Sequence, residues 1–328
     1  MGALASPLAF AQNVTLYGGI DVGLQHADSG QDGAKMFVTS GSWYTSRIGF
    51  KASDDIGPGL SAILVAESGI AADTGGTDSA GFWQRQVYGG LDSKQWGALT
   101  IGRQYTHMHN QSAGTGSLLA TTLAGTLGFS QHLTRASNAI KYSSANYGGI
   151  NFGALYGFGE NEDFSSDGNY WEAHIGYAMK PFAVDFAHAR AKSEDAAGEE
   201  ETKRNQLVGK WDTGAFGVAV GFATDKADDE DTLDRRVIWV QPGFRFGGNN
   251  ELYVTFAKAK DKTDAEEDAT WYGASFRHLF TKRTYAYATF AVTKNDNGAG
   301  QRPFSYAGPV PAGDEDAKGF GIGIAQEF

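Results

Sequence analysis

The chain has 328 residues, a formal net charge of −11, 45 glycines, seven prolines and no cysteine. The negative charge argues against a nucleic-acid-binding protein, and the lack of cysteine excludes disulfides and thiolate metal sites. No apolar run of about 18 residues occurs, so we predict no membrane-spanning helix. The mildly polar mean hydropathy fits a soluble β protein, and it also fits a barrel whose strands are apolar on one face only.

The first segment, residues 1–11, differs from the rest of the chain. Ala9, Phe10 and Ala11 fit the small-x-small cleavage pattern of a secretory signal, although a basic start and most of an apolar core are missing. We interpret residues 1–11 as a signal-peptide remnant that is followed by one domain over 12–328. The alternative is a disordered tail.

From Val14 onwards, apolar residues alternate with small or polar ones. Successive side chains of a strand point to opposite faces, so this alternation predicts strands with one apolar face. The clearest alternating segments are 14–24, 48–50, 216–222, 238–246, 252–256 and 320–328. Strands at both ends of the chain would each leave a free sheet edge unless they pair, and a closed barrel removes both edges.

The breaks between these strands alternate in length. Short breaks fall near 54–59, 93–95, 146–149, 181, 212–214, 247–250 and 281–282. Long breaks fall near 27–34, 71–81, 104–138, 159–169, 192–204, 225–235, 260–269 and 295–316. This sorting is typical of outer-membrane barrels and fits a soluble sandwich poorly. We therefore predict an all-β, 16-stranded antiparallel transmembrane β-barrel with short periplasmic turns and long extracellular loops.

Aromatic residues near strand ends predict interfacial girdles. The candidates are Tyr17, Trp43, Tyr88, Tyr142 and Trp171. A second group could instead face the lumen and stack on sugars: Tyr17, Tyr253, Tyr285 and Tyr287. The second group leaves open a substrate-selective channel for sugars or organic anions.

The third long break, about 104–138, has an unusual charge pattern. No Asp or Glu occurs from Ser93 to Gly159, whereas several basic residues and histidines do. The loop is rich in small, apolar and hydroxyl residues, which suits a segment folded into the barrel and packed on its wall. Such a loop would narrow the water channel of a large barrel.

Basic residues of the inner wall are predicted to meet this loop. The candidates are Arg47, Lys51, Arg85, Arg103, Arg135 and Lys141. Arg103 has the same place in the strand alternation as apolar residues, so the sequence leaves open whether its side chain points into the lumen. A cluster of cations in a constriction attracts anions and excludes cations, which predicts an anion preference. The alternative is that each base pairs with an inner-wall carboxylate such as Glu67 or Asp21.

The acidic residues are concentrated in the long loops, which hold 28 of the 38 Asp and Glu residues. The densest runs are 194–201, 225–231 and 264–268. One interpretation is simple solvation of exposed loops. The other is that this rim binds Ca²⁺ or Mg²⁺ ions, which would bridge to lipopolysaccharide phosphates. No other cofactor is predicted.

These segments resemble the general trimeric porins of Gram-negative bacteria, of the Burkholderia, Bordetella and Neisseria type. The resemblance covers essentially residues 12–328. Besides the closing strand, it is carried by "NVTLYGGIDVGL", "SRIGFKASDDIGPGLSAILVAESGI", "RQVYGGLDSKQWGALTIGRQYT" and "NAIKYSSANYGGINFGALYGFGE". Members of this family often place carboxylates on the constriction loop, and this chain has none there.

The resemblance implies a homotrimer in outer-membrane lipid, with passive diffusion of small hydrophilic solutes and inorganic ions through each subunit. It implies that the loop after "GRQYT" forms the constriction, and that Arg47, Arg85 and Lys141 line it. It also implies that Phe328 is a signal for the barrel-assembly machinery.

An outer-membrane enzyme is the remaining rival function. Its only support is an HxH pair, His107 and His109, which would ligate a metal if both lay on one extended face. No G-x-S-x-G sequence and no phosphate-binding glycine loop occurs. We predict neither an enzyme nor a metal site.

Overall fold

The computed structural model describes residues 13–30, 33–77, 81–119, 132–159, 168–195, 198–229, 231–302 and 313–328. The predicted signal-peptide remnant lies outside these residues. The strands are β1 (Val14–Asp28), β2 (Ala34–Ser40), β3 (Arg47–Gly57), β4 (Leu60–Gly69), β5 (Gln86–Ser93), β6 (Gly97–Tyr105), β7 (Arg135–Ser144), β8 (Ile150–Gly157), β9 (Tyr170–Met179), β10 (Phe182–Asp195), β11 (Gly198–Asp212), β12 (Phe216–Ala227), β13 (Asp234–Phe246), β14 (Asn250–Asp261), β15 (Ala269–Leu279), β16 (Thr284–Asn295) and β17 (Ala317–Glu327).

A helix, α1 (His107–Ala113), follows β6 in the third long loop. Within the part of the chain that the structure describes, no helix has the length and apolar character needed to cross a membrane.

The strands form one antiparallel sheet that closes on itself through the pairing of β1 with β17. Segments β2 and β3 are two pieces of a single strand. β2 lies beside the second half of β1, from Val22 to Asp28, and β3 lies beside its first half, from Val14 to Gly19. The described segments therefore occupy sixteen positions around the sheet, which confirms the predicted 16-stranded barrel.

The sequence alternation separates the outside of the barrel from the inside. On β1, Val14 and Leu16 are exposed on the outer wall, whereas Asp21 is fully buried inside. On β17, Phe320 and Ile322 are likewise exposed. An apolar outer wall suits hydrocarbon, and a closed sheet leaves no backbone group of an edge strand unpaired there.

The last residue extends the ladder between β17 and β1. The Phe328 N–H donates to the Gly18 carbonyl (3.0 Å), and the Gly18 N–H donates to the Phe328 carbonyl (3.3 Å). The ring of Phe328 stays about half exposed. Phe328 is therefore part of the barrel closure, while its role as an assembly signal stays a prediction.

The predicted long break at 192–204 was too long. Strands β10 and β11 continue their ladder into this segment, with Lys192 opposite Glu201 and Ser193 opposite Glu200. The Arg190 side chain also lies 3.3 Å from Glu201. Pairing of opposite charges across the two strands extends the hairpin through an acidic run that the sequence suggested was a loop.

Three of the predicted girdle residues point into the lumen: Tyr17, Trp43 and Tyr88, the last of which lies opposite the buried Val65. The Tyr17 hydroxyl donates to Glu67 (3.0 Å), and Trp43 is buried against Tyr285 and Tyr287. Tyr17 shares the parity of the buried Asp21, so alternation alone indicated its direction. Position near a strand end is a weaker signal than parity.

Candidate functional site

The third long loop begins with α1, which the barrel wall holds at its first turn. The N-cap Thr106 accepts a hydrogen bond from the His109 N–H (3.1 Å). The helix has no acidic residue in its first turn. Glu172 of β9 supplies one from the wall, because its carboxylate accepts hydrogen bonds from the backbone N–H groups of His107 and Met108. Negative charge at a helix N-terminus is stabilising.

Side chains of β11 and β13 hold the following part of the loop. The contacts are Gln206 to the Met108 carbonyl (3.2 Å), Lys210 to the Gly114 carbonyl (2.6 Å), Trp239 to the Gly116 carbonyl (2.8 Å), and the Leu118 and Leu119 N–H groups to Gln241 (both 2.7 Å). The loop therefore runs inside the barrel from β6 towards β13. This confirms the infolded third loop; residues 120–131 lie outside the described residues.

A wall glycine makes room for one of these contacts. A Cβ at Gly221 of β12 would lie 2.0 Å from the indole ring of Trp239. The missing side chain lets the indole lie flat on the inner wall, where its N–H reaches Gly116 of the loop.

Three of the predicted basic residues converge on Tyr105, the last residue of β6. The Tyr105 hydroxyl accepts hydrogen bonds from Arg85 and from Arg135 (2.9 Å for Arg135). The Tyr105 carbonyl accepts one from Lys141 (2.7 Å). The Arg135 guanidinium also lies over the Tyr105 ring, 4.6 Å from its centroid, in a cation–π contact.

Two further bases are held by aromatic rings. Arg47 donates to the Tyr44 hydroxyl (2.8 Å) and lies 4.2 Å from that ring's centroid. The ammonium of Lys51 lies 4.7 Å from the centroid of Tyr17. Both cations are thus oriented by neutral groups, although the charge of Glu67 also acts on Arg47.

The two predicted carboxylates behave differently. Glu67 forms a buried salt bridge with Arg85 (2.7 Å) and also accepts from Tyr17. Asp21 instead accepts hydrogen bonds from the N–H groups of Trp43 (2.6 Å) and Tyr44 (2.7 Å), and from a tyrosine hydroxyl of β16. The alternative that each base pairs with an inner-wall carboxylate therefore holds for Arg85, which pairs with Glu67. Asp21 instead binds the segment between β2 and β3.

Arg103 binds atoms of the wall beside the cluster. It donates to the Gln84 carbonyl (2.6 Å) and to the Ser137 hydroxyl (2.7 Å). The register between β6 and β7 shifts at this point, and Asn138 adopts a left-handed conformation (φ 47°). Such a bulge changes the facing of neighbouring residues, which explains why alternation left Arg103 open.

The histidines of the loop are uncharged; His107 and His132 are buried, and His109 is partly buried. His109 stacks on the Tyr105 ring (4.7 Å between centroids) and hydrogen-bonds to His132 (3.0 Å). Burial, followed by the charges of Arg135, Arg85, Lys141 and Arg47, lowers the pKa of His109 to about 3. Burial and the nearby Lys141 and His174 hold the pKa of His107 well below its usual range. The positive charges of four basic residues thus all disfavour protonation of His109.

The two histidines of the HxH pair bind different partners. His107 binds the Tyr142 carbonyl, whereas His109 binds His132. Among the residues that the structure describes, no group of three or more His, Asp and Glu side chains is arranged to hold a metal ion.

Sequence reasoning missed the most connected residue of the site, Tyr105. Its only signal was its place directly before the N-cap of the loop helix. The candidate sugar-stacking residues Tyr253, Tyr285 and Tyr287 do face the lumen but are at most 4% exposed. Their hydroxyls bind Glu251, Glu327 and Asp21.

A closed barrel with an apolar outer wall, a charged lumen and an infolded loop defines a transmembrane channel of the outer-membrane type. A family model described as Gram-negative porin matches residues 1–298, and the chain belongs to this family. The protein therefore lies in the outer membrane and passes small hydrophilic solutes and ions through its pore.

Similar proteins agree with this assignment. Outer membrane porin protein 32 of Delftia acidovorans is 28% identical, over 99% of this chain and 97% of that protein. Major outer membrane protein P.IB of Neisseria meningitidis serogroup A is 27% identical, over 90% and 92% respectively. The solved structure of an anion-selective porin from Comamonas acidovorans has the same fold, with a TM-score of 0.86 at 22% identity and coverage of 96% and 99%.

Proposed function

We propose that this protein is a general diffusion porin whose constriction prefers small anions. The observation that carries the proposal is the convergence of Arg85, Arg135 and Lys141 on Tyr105. The loop that faces them has no carboxylate of its own. The anion-selective porin of Comamonas acidovorans, which shares the fold, supports the same preference.

The electrostatic argument depends on where the charges lie. Arg135, held by the neutral Tyr105, keeps its field in the narrow part of the pore, where the low-dielectric wall focuses it, whereas the field of Arg85 is reduced by Glu67. The acidic rim lies in wide, salt-containing water, where charges more than about 10 Å away are largely screened. The constriction therefore outweighs the rim, although the net charge of the chain is negative.

A passive channel is favoured over the two rivals. A sugar-selective channel needs aromatic faces open to solute, and the lumen tyrosines Tyr253, Tyr285 and Tyr287 are buried. An enzyme has no support beyond the two loop histidines. We propose that solutes cross by diffusion alone and that no chemical step takes place.

The remaining partners are part of the same proposal. We propose a homotrimer that the barrel-assembly machinery recognises through Phe328, supported by the resemblance to trimeric porins. Ca²⁺ or Mg²⁺ bridging between the acidic loops and lipopolysaccharide stays a prediction. Some of these acids are already paired, for example Asp228 with Lys203 and Asp268 with Lys260 (both 2.7 Å).

Reversal potentials in planar bilayers across a KCl gradient test the anion preference. We expect the wild-type channel to favour Cl⁻, and the double change Arg47→Glu/Arg85→Glu to favour K⁺. The matched control is Lys203→Glu/Lys260→Glu, which makes the same change in charge at the rim and is expected to keep the Cl⁻ preference. A wild-type channel that prefers K⁺, or a constriction variant with wild-type selectivity, would refute the proposal.

A further inference from the structure

Two positively charged groups share one neutral oxygen at Tyr105. Arg85 and Arg135 both donate to its hydroxyl, although like charges repel each other. Something must therefore hold the two guanidinium groups side by side. The hydroxyl is a shared acceptor, and the ring beneath Arg135 adds a cation–π attraction.

Arg135 depends on Tyr105 more than Arg85 does. Arg85 has a second anchor, because its Nε lies 2.7 Å from Glu67. No salt bridge to Arg135 is found within the described residues, and its buried Nε has no hydrogen-bond partner there. The hydroxyl and the ring of Tyr105 are thus the contacts that orient Arg135 in the described part of the chain.

The Tyr105 side chain is itself held in place. Its ring stacks on His109 with an angle of 10° between the planes. His109 is bound to His132, and the next residue, Thr106, donates to the Leu133 carbonyl (2.6 Å). The acceptor therefore sits on a fixed support where β6 joins the loop.

We infer that Tyr105 is a positioning residue for ion selectivity, which holds Arg135 beside Arg85 without cancelling their charge. The inference rests on the anion preference proposed above. A carboxylate at this position would bind both guanidinium groups more strongly, but it would add a negative charge to the constriction. Without the hydroxyl, repulsion from Arg85 turns Arg135 away, and the density of positive charge beside the ion path falls.

A double-mutant cycle on the full-length channel tests this inference. The variants are Tyr105→Phe, Arg135→Gln and the two combined, with the Cl⁻/K⁺ permeability ratio as the readout. Tyr105→Phe keeps the ring and removes one oxygen, and we expect it to lower the ratio about two- to threefold, towards that of Arg135→Gln. The combined variant should match Arg135→Gln, because Tyr105 acts through Arg135.

The control is Tyr88→Phe, which removes the hydroxyl of another half-buried tyrosine, one that makes no hydrogen bond within the described residues. It should keep the wild-type ratio. Heat resistance of the folded protein on gels, measured for every variant, verifies that the barrel is intact.

The outcomes separate the two claims. Suppose that the wild type is anion-selective but Tyr105→Phe has the wild-type permeability ratio, or that the effects of Tyr105→Phe and Arg135→Gln add in the combined variant. Either result overturns the role of Tyr105 and leaves the proposed function intact. A wild type without anion preference overturns the proposed function and this inference together. A lowered ratio in Tyr105→Phe, together with a combined variant that matches Arg135→Gln, supports both.

Discussion

The lumen holds its cations in two different ways on two sides of the barrel. On the side of β1 to β7, which we call the aromatic arc, Lys51, Arg47 and Arg135 lie over Tyr17, Tyr44 and Tyr105. On the side of β9 to β15, the carboxylate arc, cations are paired with acids. Those pairs are Arg204–Asp225, Arg245–Asp212 and Arg277–Glu251. Arg245 and Arg277 also lie near aromatic rings, but each of them has a carboxylate partner as well.

The difference shows how a wall can position charge with or without cancelling it. A salt bridge fixes a cation but removes most of its field at a distance. A tyrosine fixes a cation through its hydroxyl and its ring while remaining neutral. Arg85 with Glu67 is the exception on the aromatic arc, and both side chains are buried. The absence of Asp and Glu from residues 93–159 makes this arrangement possible.

The largest expected effect comes from Glu172 of β9, which binds the first turn of the loop helix from the carboxylate arc. Glu172→Ala leaves the His107 and Met108 N–H groups without their acceptor, at a cost of about 1–3 kcal/mol each. We expect a lower midpoint of thermal unfolding in detergent and more open-channel current noise. Glu172→Gln, which keeps one acceptor oxygen, should lose less. Equal midpoints for Glu172→Ala and wild type would contradict the role of this carboxylate.

The next effect tests the aromatic arc by giving it a carboxylate. Tyr44→Glu should pair with Arg47 and lower the Cl⁻/K⁺ permeability ratio about fivefold, since the added charge attracts K⁺ and repels Cl⁻. Tyr44→Gln is the matched neutral control and should change the ratio much less. The distinction between the arcs fails if both variants give the same reversal potential.

A smaller effect of opposite sign is expected from Glu67→Gln. This change removes the acid paired with Arg85, so the Cl⁻/K⁺ ratio should rise about twofold. The rise is small because Glu67 is buried and bound to both Tyr17 and Arg85. Asp228→Asn removes one carboxylate from the exposed rim and should leave the ratio unchanged because salt screens it. If the Cl⁻/K⁺ ratio rises equally in Glu67→Gln and Asp228→Asn, the electric field is not concentrated at the constriction.

The smallest effect concerns pH. With a pKa of about 3, His109 is protonated in only about one channel in a hundred at pH 5. His109 should therefore add no step to the reversal potential between pH 7 and pH 5. A change centred near pH 6.5 would mean that this histidine is hydrated and titrates normally. A released loop binds protons near pH 6.5, so the docked loop loses stability as the pH falls below that value.

Some features of the site were readable from residue patterns because they depend on local properties. Strand alternation has a period of two, so it placed Arg47, Lys51 and Lys141 on the inner face. The lack of acid near the third loop indicated a cation-lined constriction. Alternation failed at Arg103, where a bulge shifts the register. The prediction of girdle positions from strand ends failed at Tyr17, Trp43 and Tyr88.

By itself, the amino-acid sequence determined the sixteen-stranded barrel, the infolded loop and the bases near it, since strand period and loop composition are encoded over short distances. Only the tertiary structure decided the partners: Asp21 binds Tyr287, and Gln241 binds Leu118, across separations of 266 and 123 residues. Closure of the sheet and the path of the loop through the lumen set these contacts. The gathering of Arg85, Arg135 and Lys141 on Tyr105 follows from the same geometry, because a side chain's facing does not specify which distant group it meets.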